Sequence, residues 1–136
     1  IARTAREMLV QDSRPSILRE YNIDEITGLE VTKAAQKGDQ VATDILAFTG
    51  ATLGKACANF ALFCSPEAFV FFGGPTKAGD FIMEPLRKAY DDNILYVYKG
   101  KAKLLLSNLN GSDAAVLGAS ALAWELPAND STSSPV

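Results

Sequence analysis

The sequence predicts an α/β fold with parallel strands, and three observations carry that prediction. Two short apolar runs, 68–72 (AFVFF) and 103–107 (KLLLS), read as strands, the first as a strand covered on both faces. Between them Ile82, Leu86, Tyr90, Ile94 and Val97 recur at spacings of three or four, the period of a helix. A strand–helix–strand crossover brings its two strands together in parallel. The composition permits a packed core: of 136 residues, 48% are apolar and 21% charged, enough for one modest domain.

Each element follows in order. Residues 1–11 read as a helix with Ile1, Ala5, Met8 and Leu9 on one side, interrupted by SRPS at 13–16. A short element covers 29–37 and stops at Gly38, with an irregular stretch before it. Asp39 caps a long helix that reaches Phe63, with an apolar stripe of Val41, Ile45, Phe48, Thr52, Ala56, Phe60 and Phe63. Gly50 and Gly54 lie inside it, each costing up to about 1 kcal/mol relative to alanine. Close packing against a sheet or another helix would account for them. Ser65-Pro66 ends this helix. In the crossover helix Pro85 belongs in the first turn or introduces a kink. LNGSD makes a turn with Ser112 as N-cap of a final small-residue helix, AAVLGASALAWE, and PANDSTSSPV is a polar, frayed tail. The chain divides into an N-terminal helical segment (1–38), an α/β core (39–126) and a flexible tail (127–136). Two strands cannot cover their own edges. Either further strands hide within 13–28, or other protein completes the sheet, which leaves apolar surface open to self-association.

Composition also narrows the function. The net charge is −3, from 13 basic and 16 acidic residues, a balance that does not point to a surface for nucleic acid. The absence of any eighteen-residue apolar run argues against a membrane span, and the charged start IARTAREMLVQD is unlike a signal peptide. The chain opens on Ile1 rather than methionine, as expected after processing or excision from a longer chain. There is no histidine, so histidine-based catalysis is excluded within it. Cys57 and Cys64 are two helical turns apart, about 10 Å along the axis, too far for a disulfide within one helix. They read as two small buried hydrophobes of an intracellular, cytoplasmic protein rather than as metal ligands.

The stretch FVFFGGPTKAGD, 69–80, raises the functional question. Ligands of α/β sheets bind beyond the carboxyl ends of strands, where Gly73-Gly74 lies. Without Cβ atoms the backbone can approach a ribose or phosphate, its amides can donate to anionic oxygen, and Thr76 and Lys77 add a hydroxyl and a positive charge. The alternative is a tight turn that needs two flexible residues. The segment is neither G-x-G-x-x-G nor a Walker loop. NGSDAAVLGASALA, 110–123, stands at the end of the second strand, either as an anion-facing helix start or as an ordinary capped helix.

FALFCSPEAFVFFGGPTKAGDFIMEPL followed by AKLLLSNLNGSDAAVLGASALAW resembles the C-terminal portion of ROK-family sugar kinases, glucokinases among them. ARTARE near the start and GDQVATDIL at the long helix resemble the same family. The resemblance implies part of one lobe of an actin-like ATPase (ribonuclease H-like) fold, with nucleotide held between two lobes. It makes Phe72–Thr76 the adenosine-binding turn, with Gly73, Gly74 and Thr76 as nucleotide-binding residues, and Gly118-Ala119 a close-packed part of the last helix. Two positions depart from the family pattern: Ser65 stands where asparagine usually precedes the proline, and Pro75 stands where a third glycine is common, removing one amide donor.

The family's catalytic aspartate, phosphate loops, sugar contacts and zinc site are expected before Ile1. No aspartate here matches the catalytic motif, so Asp24, Asp39 and Asp113 are not assigned a role, and no catalytic or metal-binding residue is assigned within the chain. The resemblance implies a cytoplasmic parent kinase of carbohydrate metabolism, using ATP and magnesium on a hexose, glucose first, with zinc in the preceding region. N-acetylhexosamine or fructose kinases, or the sugar-sensing domain of a ROK-like repressor, are the alternatives. A nucleic-acid partner belongs only to the last of these.

Overall fold

The structure, a computed structural model, describes residues 1–109 and 111–125; the tail 127–136 lies outside the described residues. Helix α1 (Ala2–Gln11) buries Ala5 and Leu9, with Ile1 and Met8 against the same cluster, as the spacing predicts. The stretch that follows contains two 3-10 turns, Ile17–Glu20 and Ile23–Glu25, and no strand. Ser16 and Asn22 side chains accept from the amides of Leu18 and Asp24 and cap these turns locally, so the backbone is satisfied without a sheet partner. Leu18 and Ile26 are fully buried beneath them. Helix α2 (Gly28–Gln36) opens with a capping box: the Thr27 side chain accepts from the first-turn backbone while Glu30 accepts from the Thr27 amide.

Helix α3 (Gln40–Cys64) is the spine of the molecule. Asp39 caps it, as its position predicts, through Oδ1 and the Ala42 amide at 3.1 Å. Its buried side differs from the predicted stripe. Val41 and Ile45 are buried, but Phe48, Phe60 and Phe63 are exposed, Phe63 at 90%. The buried line runs instead through Leu46, Gly50, Gly54, Cys57, Ala58 and Ala61. Small residues there let helix α4 (Asp80–Asn93) approach backbone to backbone, so the face that packs is the face without large side chains. A β-carbon on Gly50 would stand 2.3 Å from the carbonyl oxygen of Ile82. By length and composition α3 could cross a membrane. It packs against α1, α2 and α4, the last along its small-residue line, while Phe48, Phe60 and Phe63 stay exposed.

Ser65, in left-handed conformation (φ 47°), ends α3 and turns the chain into β1 (Ala68–Phe71). Helix α4 begins earlier than Pro85 suggests, because Gly79 (φ 56°) turns the chain at its start; Pro85 therefore sits inside the helix, beyond its first turn. Ile82, Leu86, Tyr90 and Ile94 are buried as predicted, whereas Val97 lies in a later 3-10 turn, Tyr96–Tyr98, and is exposed. Strand β2 (Lys103–Leu106) pairs with β1 in parallel, with Ala68 opposite Lys103 and Phe71 opposite Leu106.

The strands are covered on one face only among the described residues. Phe69, Phe71 and Leu104 pack on Cys57, Ala58, Ala61 and Tyr90, with the Phe69 and Tyr90 rings edge-on at 6.3 Å. Val70 and Leu105 point away and are exposed, because both contacting helices lie on the same side. Cys57 is buried as predicted, whereas Cys64, the last residue of α3, is exposed. A second core joins α1, α2, the first half of α3 and the start of α4. Helix α5 (Gly111–Glu125) takes in Ser112 rather than being capped by it, and Val116, Leu117, Leu122 and Trp124 on it are exposed.

Candidate functional site

Because β1 and β2 run in parallel and in register, their carboxyl ends open side by side. A cleft of about 370 Å³ lies there. Phe72, Gly73, Gly74, Thr76 and Lys77 form one side, and Ser107, Asn108 and Leu109 the other. All three predicted residues, Gly73, Gly74 and Thr76, line this cleft together with Lys77.

The two glycines are there for different reasons. Gly73 has φ 106° and ψ −168°, a conformation that side-chain-bearing residues avoid. Its carbonyl oxygen accepts from the Thr76 amide at 3.1 Å and from the Thr76 hydroxyl at 2.6 Å, which closes a 3-10 turn over Gly74–Ala78. Gly74 is not among the glycines with positive φ, and a β-carbon on it would meet nothing within 4 Å. Neither conformation nor packing within the described residues demands a glycine at 74. What its missing side chain provides is bare backbone facing the cleft.

Thr76 donates its hydroxyl proton to Gly73, so toward any further partner the hydroxyl is left as an acceptor. Pro75 supplies no amide proton. Across the cleft the Ser107 hydroxyl accepts from the Leu109 amide at 3.2 Å and fixes the exit from β2. Ser107, Asn108 and Leu109 escaped the sequence reading, which looked past them to the glycine at 111. Their signal was their place, immediately after the carboxyl end of the neighbouring parallel strand.

The other singled-out residues lie elsewhere. The carboxylate of Asp39 is occupied: it accepts from Ala42 through Oδ1 and from the Ile17 amide and Ser16 hydroxyl through Oδ2, at 2.6 and 2.8 Å. Burial pushes this carboxyl up, and the hydrogen bonds outweigh it and hold the group below its ordinary value. The main-chain carbonyl of Asp24 accepts from Arg6. Asp113 lies in the first turn of α5. Among the described residues Gly118 does not line the cleft, and a β-carbon there would meet nothing within 4 Å. Burial pushes the Cys57 thiol up, the opposite of what a reactive thiolate needs. Among the described residues no three His, Cys, Asp or Glu side chains gather as a metal site would require.

The chain is 30% identical to the glucokinase of Halalkalibacterium halodurans over 119 residues, 87% of this chain and 36% of that protein. It is 27% identical to the N-acetylglucosamine repressor of Escherichia coli over 100 residues, 74% of this chain and 24% of that one. A crystal structure of a ROK family glucokinase from Streptomyces griseus, in complex with glucose and AMPPNP, superposes with a TM-score of 0.76 at 26% identity, covering 89% of this chain and 40% of that one. The chain thus spans about a third of the length of the glucokinase relative. The α/β fold with its parallel strands and packed helices is consistent with the actin-like ATPase architecture of these relatives. The profile of the ROK family matches residues 1–125, and the chain belongs to that family.

Proposed function

We propose that residues 1–136 are the C-terminal part of an ATP-dependent sugar kinase and supply one wall of its nucleotide site. The observation that carries this reading is Gly74: bare backbone at the carboxyl end of β1, without a conformational or packing reason among the described residues, lining a cleft shared with the end of β2. The likeness to glucokinases, one of them solved with glucose and AMPPNP, supports the same reading. In the full-length protein the γ-phosphoryl of ATP would pass to a hexose hydroxyl, with glucose favoured by the relatives. Magnesium would accompany the nucleotide, and catalytic base, sugar contacts and any zinc would come from the part of the protein that precedes this chain, in the cytoplasm.

Phosphoryl transfer requires base, metal and γ-phosphate placed together. No residue of this chain is assigned as base, so the chain alone is expected to be inactive. The test is a coupled assay for ADP release with ATP, magnesium and a panel of hexoses, run on the full-length protein and on residues 1–136. Sugar-dependent ADP release by the full-length protein alone supports the proposal. Release by residues 1–136 overturns the division of labour, and none by the full-length protein overturns the kinase.

The likeness to the N-acetylglucosamine repressor carries a second reading, in which the same fold senses sugar and regulates DNA. A DNA-binding segment upstream, with specific duplex binding relieved by sugar and no ADP release, would establish it instead.

A further inference from the structure

Lys77 stands at a junction. On one side of the 3-10 turn it lines the cleft between the strand ends; on the other, with Gly74, it lines a second cavity of about 390 Å³ against Leu29 and Thr32 of α2. Among the described residues it is the only charged side chain lining either cavity. It is exposed, and it makes no ion pair among the described residues. The chain as a whole is net acidic. A cationic side chain at the junction of two cavities, in a chain of net negative charge, attracts anions to that point and leaves neutral ligands indifferent. The other lining side chains are neutral: Phe72 and Leu109 are half-exposed apolar surfaces, and Thr76, Ser107 and Asn108 are polar without charge.

We infer that Lys77 is the anion-recognising residue of this cleft and makes it selective for the phosphorylated form of its nucleotide over the bare nucleoside. The inference rests on the nucleotide reading above and adds to it the group that discriminates by charge. An ammonium is a compact point charge on a flexible stem, so it can follow a phosphate on either side of Gly74. A charge-assisted hydrogen bond of this kind corresponds to about tenfold in affinity, and added salt weakens it because the group is exposed.

The experiment titrates ADP and adenosine separately into the full-length protein and its Lys77→Gln, Lys77→Arg and Lys101→Gln variants, at low and high salt. Lys101 is the control, a lysine near the opposite ends of the strands. The expected result is about tenfold weaker ADP binding in Lys77→Gln, with adenosine unchanged, Lys77→Arg close to wild type and Lys101→Gln without effect. The salt dependence of ADP binding should shrink in Lys77→Gln. Equal ADP affinity in wild type and Lys77→Gln, both folded, overturns the inference and leaves the nucleotide reading standing. An equal loss of adenosine and ADP binding in Lys77→Gln makes the residue structural and also overturns it. Failure of both ligands to bind the wild-type protein overturns the nucleotide reading itself, and this inference with it.

Discussion

The carbonyl oxygen of Leu86 lies 2.3 Å from the position a β-carbon on Gly54 would occupy, and the methyl of Ala89 lies 2.9 Å from the same point. The approach of α3 to α4 is therefore limited by backbone, and backbone cannot rotate out of the way. Gly54→Ala should force the helices apart. Overpacking of this kind costs about 1–3 kcal/mol, more than the gain in helix propensity of up to about 1 kcal/mol. Denaturant unfolding should show a net loss. Gly118→Ala is the matched control: it is helical too, with nothing among the described residues within 4 Å of its β-carbon, and should be neutral or slightly stabilising. A Gly54→Ala variant as stable as wild type would mean that the two helices slide past each other freely.

Asp39 should make stability fall in acid. Its carboxyl titrates lower in the fold than in the unfolded chain, where the value is about 3.9. Its contribution is fully present above that value and is lost as pH falls through the lower, folded value. Asp39→Asn places an amide donor against the donors at Ile17 and Ser16, or against Ala42 if the group flips. It should destabilise by about 1–3 kcal/mol near neutrality. Urea unfolding against pH should show the gap between wild type and variant narrowing below about pH 4; a gap that is constant through that range would assign the effect to something other than the charge.

Trp124, the single tryptophan of the chain, is 88% exposed on α5, and Val116 and Leu122 on the same helix are open as well. Residues 1–37 by contrast send Ala5, Leu18 and Val31 into the core without exposure. Hydrogen exchange on residues 1–136 should therefore find α5 less protected than α1, and Trp124 emission should be that of a water-exposed indole. Blue-shifted emission that follows protein concentration would show that α5 is covered by a second copy, the self-association that the open apolar surface invites.

Much of this architecture was legible because local signals agreed with packing. Asp39 as cap, Ser65-Pro66 as stop, and the period of Ile82, Leu86 and Tyr90 each reflect a rule that acts over a few residues. The buried face of α3 was misread because the stripe was traced through the largest side chains. Phe48, Phe60 and Phe63 keep helical spacing, but α4 lies along the glycines and alanines, and only the partner's backbone reveals why. The capping box of Thr27 and Glu30 was present as T-G-L-E and was overlooked within a stretch of alternating charge. At the cleft, the glycine pair announced one side. Ser107, Asn108 and Leu109 carry no motif and became visible only when the parallel register set the two strand ends beside each other.

The most direct test of the central claim, that the carboxyl end of β1 meets nucleotide through bare backbone, is calorimetric titration of ADP into the full-length protein and its Gly74→Val variant, with thermal unfolding of both. Among the described residues nothing lies within 4 Å of a β-carbon at 74, and its φ is not in the left-handed region. The account predicts that the variant folds with a transition close to wild type and loses at least about tenfold in ADP affinity, the loss of one charge-assisted contact. Unchanged affinity in a folded Gly74→Val protein would contradict it.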